Sequence, residues 1–588
     1  MLYDDICKSV AAKKPVLIER ENITEDQNMQ NETTKAVIQD VVDSSHKGVE
    51  SLTRRSFIGI SSLAIAGAYL FRPARMWAAA RHMKVDSKAF LTDFKPSVGF
   101  VEFRNSETIV GGYRVEWWEK NFGLPLTINY APAIHNSIRS FKKVFEEHYP
   151  QGEIRYAVKA NTHPEILAIA RSEGIGADVA SENEMRCALE AKLPAEHIDV
   201  NGNSKTPALI EKALKGNMLL VVDSIEEFEV ISGMAKKMGV RARCLMRLSG
   251  FDLGKVTDLG SFTAGSWCKF GMNIQKMPVF LDIILPKHPH MDFMGFHIHI
   301  GTQVFSDVSY RTVLGKLIEF SHRLNEKGGR CRILNLGGGF PVSYLTRIEW
   351  ETELNRIREG YLAAKKGDFS KVWVWGNSPA MFMDPETGVI NLDEWSGEKS
   401  YSAYPEAKML ETILVGDVTV DGKTMSVKEA LHGIGNPTLI VEPGRAITET
   451  SGVSLARIKG IRTIDYDHNM ITLDAGAVNY DSAVERDYLM RNWSLATQGN
   501  RKSTQPFTAF LAGRLCYNGD IIYRQKIMLP TRPSIGDILI CHDTGAYSSH
   551  FYLSCVNSFA RPARLMAFGD GSIKYLKSKD TYEEIFSL

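Results

Sequence analysis

Short apolar, β-branched runs alternate with helical patterns from about residue 120 onward. The runs are Ile154–Val158, Gly176–Val179, His197–Val200, Met218–Val222, Arg243–Leu248, Phe293–Ile298, Ile333–Leu336 and Thr438–Val441. Helical stretches such as Pro164–Ser172, Glu182–Ala191 and Ile225–Met238 separate them, and Pro164 and Pro207 stand where a first helical turn tolerates proline. Eight such alternations predict an α/β fold, a parallel (β/α)8 TIM barrel spanning 121–450.

After about residue 450 the pattern changes. Val453–Ile464, Met470–Leu473, Asp520–Met528, Asp537–Cys541 and Ser572–Leu576 read as strands joined by turns, which predicts an all-β domain over 451–588. Residues 81–120 are expected to be a lead-in that belongs to this β domain, as a strand or a helix. The stretch from about 365 to 430 is too long for one strand-to-strand connection. Its Trp373, Trp375, Pro379, Pro385 and Gly388 suggest an irregular insertion near the barrel rim.

The N-terminal 80 residues follow neither pattern. Residues 1–50 are polar and mixed in charge, as disordered leaders are. Next come Thr53-Arg54-Arg55-Ser56-Phe57-Ile58, an apolar run to Phe71, and Ala78-Ala79-Ala80. Paired arginines, a moderate apolar stretch and a small-residue site together predict a twin-arginine export signal and a periplasmic or exported location. The apolar run is shorter than the roughly 20 residues of a comfortable membrane span. Membrane contact is therefore expected only if the signal stays uncleaved.

Composition narrows the partners. The chain has 588 residues, 44% hydrophobic, with a formal charge of +1, which gives no electrostatic case for nucleic acid. The eight cysteines show no CxxC pair and no metal-ligand spacing, so most read as core thiols and no metal is expected.

The candidate chemistry sits where the apolar runs end. Lys159 follows the first run, Asp178 ends the second, and Asn201, Asp223 and Ser249 follow the next three. His299 follows the sixth, Gly337-Gly338-Gly339 the seventh and Glu442 the eighth. In a parallel barrel these ends share one rim, where active sites assemble. A lysine desolvated there can condense with an aldehyde. A triple glycine lets backbone N–H groups approach an anion. Glu442-Pro443-Gly444-Arg445 adds a carboxylate and a guanidinium suited to phosphate or carboxylate. An amine for an aldehyde, a nest for a phosphate and an acid for a ring nitrogen together point to pyridoxal 5'-phosphate (PLP).

Several segments carry a family resemblance. They are Tyr156–Asn161, Ala177–Ser181, Asn201–Lys205, Lys269–Gly271, Gly295–Gln303, Gly337–Pro341, Glu442–Arg445, Cys516–Asp520 and Gly545–Tyr547. In this order, over about residues 100–570, the chain resembles the fold-type III PLP decarboxylases, the ornithine and diaminopimelate decarboxylase family, whose barrel is alanine racemase-like. The resemblance implies that Lys159 binds PLP covalently, His299 stacks on the ring and Glu442 bonds its nitrogen. It gives Thr302, Gly339, Gly444 and Tyr547 to the phosphate, together with Gly337 and Gly338, and sets Asp178 at the cofactor. Arg445 would meet phosphate or substrate carboxylate. Cys516 would return a proton to carbon after CO2 leaves. It also implies a homodimer whose sites are completed by the partner's cysteine loop.

The substrate end departs from the diaminopimelate pattern. That subgroup carries an acid directly after the cysteine, where this chain has Tyr517, and an Arg-Pro-x-x-Tyr segment after its Asp-Ala-Gly strand. Here Asp474-Ala475-Gly476 leads to Asn479–Tyr488 without that segment. Asp487 falls near where ornithine-type members place an aspartate for a distal ammonium, and Asp520 and Tyr517 are further substrate candidates. The expected activity is α-decarboxylation of a diamino acid of the lysine, ornithine or diaminopimelate class. An amino-acid racemase on the same fold and an inactive binding protein are the alternatives. Glu442 and Cys516 argue against the racemase, and Lys159 and Cys516 against the inactive protein.

Overall fold

The computed structural model describes residues 88–586 except 95–99, 105–106, 254–261, 379–382, 392–399, 481–489, 497–504 and 549–555. The twin-arginine stretch, Asp487, Cys7 and Cys555 lie outside the described residues.

All eight expected barrel strands form. They are β1 (Gly152–Ala157), β2 (Gly176–Val179), β3 (Ile198–Val200), β4 (Leu219–Val222), β5 (Ala242–Ser249), β6 (Met291–His297), β7 (Ile333–Asn335) and β8 (Thr438–Val441). Each pairs in parallel with the next, and β8 closes on β1 through Val441 and Ile154. The strands are buried on both faces, which is why they read as continuous apolar runs instead of alternating ones. Helices begin at side-chain caps: Ser181, Thr206, Ser224 and Ser306 each accept a backbone N–H from the first turn. Pro164 and Pro207 occupy first helical positions.

The helical ring is completed from the N-terminal side. After β8 the chain makes only the short helix Arg445–Thr448 before it leaves the barrel. The helix Ala131–His148, which precedes β1, packs against Pro164–Ser172 and Ala407–Val415 and fills the eighth place.

A separate mixed β-sheet domain follows. Its spine is Gly452–Ile464, which pairs antiparallel with Ile538–His542, His468–Leu473 and Leu126–Tyr130. The sheet is not purely C-terminal. Leu126–Tyr130 comes from the stretch assigned by sequence to the barrel, and also pairs in parallel with Ala563–Ala567. Residues 101–114 add a small three-stranded antiparallel sheet, and Val115–Phe122 is a helix whose Trp118 is fully buried.

The insertion sits earlier than the sequence suggests. Helix Arg347–Lys365 and the following Val374 and Met383 pack into the β-domain core with Ile471, Leu511 and Ile522. Helix Ala407–Val415 instead joins the barrel core through Met409, Leu410 and Ile413. Residues 407–433 therefore belong to the barrel wall, and the inserted piece runs from about 345 to 400. Its two ends meet where the N–H groups of Tyr344 and Leu345 donate to the Ser400 carbonyl.

Candidate active site

The strand ends of the barrel enclose a cavity of about 210 Å3, lined among others by Lys159, Asp178, Thr263, His299, Phe340 and Glu442. Thr302, Gly338, Gly339, Gly444, Arg445 and Tyr547 complete the wall named by the sequence. Lys159 stands on the turn Val158–Ala160 just beyond β1, with its side chain open to solvent-accessible space while Val158 and Ala160 are buried. The tether is firm: Tyr547 N–H donates to the Ala160 carbonyl, which ties the lysine turn to the β domain.

Opposite the lysine lies a buried acid network. Glu442 is 4% exposed. Its Oε1 accepts from Asn335 Nδ2 at 2.7 Å and from Asn201 Nδ2 at 3.2 Å. Its Oε2 lies 3.2 Å from His297 Nε2. Asn201 Nδ2 also donates to Asp178 Oδ1 at 2.8 Å, and Asn335 Nδ2 reaches Asp199 Oδ2 at 3.5 Å. Arg155 Nε then donates to Asp199 Oδ1 at 3.0 Å. Two amides thus hold three acids apart inside the barrel, each satisfying oxygens that water cannot reach.

Burial sets the protonation of this network. It raises the Glu442 carboxyl, against the Asn335 hydrogen bond and the Lys159 and Arg247 charges. Burial and then Glu442 push Asp178 up to about 7, while Lys159 opposes the rise. Asp199 is pushed up to about 6 by burial, with Arg155 opposing. Burial also holds His299 well below its ordinary value, helped by Lys159 and Arg247. His299 is therefore neutral at neutral pH. Its Nδ1 accepts Gly338 N–H at 3.0 Å, so the ring proton is on Nε2 and the imidazole offers a flat uncharged face.

The glycine turn is sterically required. Gly337 and Gly339 have φ of +65° and +92°, and a Cβ on Gly339 would stand 2.5 Å from the Gly301 carbonyl oxygen. Gly337 itself lies behind the wall. Its N–H donates to Asn335 Oδ1 and its carbonyl accepts Glu442 N–H, so it braces the acid instead of lining the cavity.

These residues fit pyridoxal phosphate. A buried carboxylate bearing amide donors suits a protonated ring nitrogen, and a neutral imidazole suits a ring face. Thr302, the glycines, Arg445 and Tyr547 suit a phosphate, and Lys159 suits an aldehyde. Arg445 is buried, with its guanidinium carbon 4.6 Å above the Tyr547 ring.

The residues assigned from the cysteine segment fall elsewhere. Cys516 is exposed, Tyr517 is 53% exposed, and neither lines the cavity of its own chain. Asp520 does not line the cavity either. It is buried, and its carboxylate accepts Ala477 N–H at 2.7 Å and Leu515 N–H at 2.8 Å. A carboxylate committed to two backbone donors organises the loop that carries Cys516. Asn201, Asp223 and Ser249 are also off the cavity wall; Ser249 Oγ donates to the Gly271 carbonyl.

Asn335, His297, Asp199 and Arg247 were missed as site residues. Each is a polar side chain inside an otherwise apolar strand, and that misfit is the signal that could have found them. Thr263 and Phe340 carried no such signal.

Comparison with known proteins agrees with this geometry. Residues 133–372 match the family model "Pyridoxal-dependent decarboxylase, pyridoxal binding domain". A diaminopimelate decarboxylase of Synechocystis sp. is 24% identical over 493 residues, covering 82% of this chain and 90% of that one. The crystal structure of diaminopimelate decarboxylase from M. jannaschii in complex with L-lysine superposes with a TM-score of 0.64 at 22% identity, over 83% of this chain and 98% of that one. Lysine/ornithine decarboxylase from Vibrio vulnificus, complexed with putrescine, gives a TM-score of 0.54 at 20% identity, over 77% and 96%. With its barrel, its mixed β-sheet domain and these matches, the chain is similar to the fold-type III PLP-dependent ornithine, arginine and diaminopimelate decarboxylases, and residues 133–372 match that family's pyridoxal-binding domain.

Proposed function

We propose that the protein is a PLP-dependent α-decarboxylase of a diamino acid, releasing CO2 and leaving the amine. The observation that carries this reading is one cavity wall shared by Lys159, neutral His299 and buried Glu442. Bound there, pyridoxal phosphate supplies an aldehyde for the substrate amine and a ring that takes up the electron pair when CO2 leaves. Lys159 would hold the cofactor through its aldehyde. Glu442, fixed by Asn335 and Asn201, holds a proton at the ring nitrogen. An acid there favours a deep electron sink and committed loss of CO2, where a racemase sets a guanidinium against that nitrogen. Cys516 returns a proton to the substrate carbon. Because it is exposed and off its own chain's cavity, it acts across a homodimer, on the partner's site.

Relatives named for diaminopimelate and for lysine/ornithine support the diamino acid class. Tyr517 in place of an acid, and Asp487 as a partner for a distal ammonium, favour lysine or ornithine over diaminopimelate. The paired arginines Arg54 and Arg55 support export of the folded, cofactor-loaded enzyme. A panel of L- and D-lysine, ornithine, arginine and meso-diaminopimelate, scored for CO2 and amine, tests the reading. Release of CO2 from a diamino acid is expected. Inverted amino acid without CO2 would instead mark a racemase.

A further inference from the structure

The barrel interior carries charge where branched apolar side chains are the rule. Leu219, Val221, Leu245, Ile333 and Ile440 keep that rule and form one apolar cluster from β4, β5, β7 and β8. Arg155 of β1 and Asp199 of β3 break it. Their neighbours Ile154, Tyr156, Ile198 and Val200 pack into the main core with the helices, so by alternation Arg155 and Asp199 turn inward. They are 5% and 0% exposed. Room for the guanidinium is built in. Gly176 of β2 stands level with Arg155, and a Cβ there would lie 2.5 Å from Arg155 Cδ.

The two residues join opposite faces of the barrel. Glu153, at the start of β1, has a side chain 41% exposed, and its Oε2 accepts from Arg155 Nη2 at 2.6 Å. Arg155 Nε donates to Asp199 Oδ1 at 3.0 Å, and Asn335 Nδ2 reaches Asp199 Oδ2 at 3.5 Å. The same Nδ2 donates to Glu442 Oε1 at 2.7 Å. A run of contacts thus links solvent at the strand starts to the acid at the strand ends. Only a carboxylate fills the middle place, because it offers one acceptor to each neighbour. Stability alone does not call for the pair, since a buried ion pair replaced by apolar side chains is often neutral for folding or better.

We infer that Arg155 and Asp199 are positioning residues that set, from the far side of the barrel, how tightly Glu442 and the acids coupled to it hold their protons. The inference deepens the PLP reading, on which Glu442 meets the ring nitrogen, and its meaning for catalysis rests on that reading. Asp199 shares Asn335 with Glu442, while Arg155 stands one contact further off. Coulomb energy falls with distance, so the negative member of the pair acts more strongly on Glu442 than the positive one. Lys159, Asp178, Arg247 and His297 also face Glu442, from the β1 turn, β2, β5 and β6. They stay in place in every variant below and give a constant background.

The test begins on cofactor-free protein, by denaturant unfolding across pH, with each chain set beside its Glu442→Gln counterpart. The difference within a pair reports the proton uptake linked to Glu442. Arg155→Met takes one positive charge from the network, so this transition is expected to move up by about one pH unit, a tenfold tighter hold on the proton. Arg155→Met/Asp199→Leu also removes the nearer negative charge, and the transition is expected to fall below that of the wild type. Arg155→Lys keeps the charge and stays near the wild type. A merely structural ion pair gives a stability loss in Arg155→Met, recovery in the apolar pair and an unmoved transition in both; that result overturns the inference. Shifts of the same sign in both variants overturn it too. Should Arg155→Met fail to fold, the apolar pair decides alone, and a transition at or above the wild-type pH overturns the inference. Loaded with PLP, the variants are then followed by the pH dependence of kcat and of the bound cofactor's absorbance. Both are expected to shift in the same directions, and profiles that stay fixed overturn the inference. A wild type that takes up no PLP overturns the cofactor reading, while the unfolding test still decides on Arg155 and Asp199.

Discussion

The acid side of the cavity and the loop that carries Cys516 are built in opposite ways. Glu442 is buried and cross-linked through Asn335, Asn201 and Asp199 to strands on several sides of the barrel. Cys516 is exposed on a loop of the β domain, and its backbone N–H donates to Asn557 Oδ1 at 2.7 Å. The first region is complete within one chain. The second is shaped, by Asp520, but points at nothing in its own cavity. On the proposed function, the contrast divides the work: the barrel binds and activates the cofactor, and the Cys516 loop would deliver the final proton to the site of a second copy.

Substitutions in the two regions should therefore separate. Glu442→Gln is expected to lower kcat by about a hundredfold to a thousandfold, the scale for losing one buried charge-stabilising group, while PLP remains bound. Equal turnover in that variant would break the acid side of the comparison. Cys516→Ala is expected to slow turnover by about a hundredfold, as for loss of a general acid, with PLP affinity unchanged and a shift in product partition. Mixing Cys516→Ala with Lys159→Ala protein should restore part of the activity, since one site of the mixed dimer has both groups; no recovery would contradict a shared site. Asp520→Asn should destabilise the loop by about 2 kcal/mol, the range for charged hydrogen bonds to buried donors. Denaturant unfolding and unchanged PLP titration would show that the effect stays in the β domain.

The smallest effect is in pH dependence. Asp178 is raised from 3.8 to about 7 in the folded chain. The folded state holds its proton where the unfolded state has released it, so its contribution to stability is full below 3.8 and is lost as pH rises through about 7. Asp178→Asn should flatten that part of the stability profile of the cofactor-free protein, as read by denaturant midpoints across the window.

The barrel and much of its rim were legible in the sequence for a physical reason. Parallel strands buried on both faces produce unbroken apolar runs, and a lysine, an imidazole or a triple glycine at the end of such a run stands out. Leu126–Tyr130 was illegible because its pairing partners, Gly452–Leu455 and Ala563–Ala567, are hundreds of residues away. The insertion was misplaced because helix Arg347–Lys365 reads like any barrel helix until its contacts show Leu354 and Ile357 in the β-domain core. Asp520 reads as a substrate candidate because a sequence shows an acid but not the backbone N–H groups that its carboxylate accepts. Asn335 and Asn201 gain meaning only as a pair, once both reach Glu442.

The most direct test is to trap the cofactor chemically. The protein is incubated with PLP, reduced with borohydride, digested and mapped by mass spectrometry. A single pyridoxyl adduct on Lys159, absent from Lys159→Ala protein that also has no turnover, is the predicted result. An adduct on another lysine, or none, in protein that still releases CO2 would contradict the account.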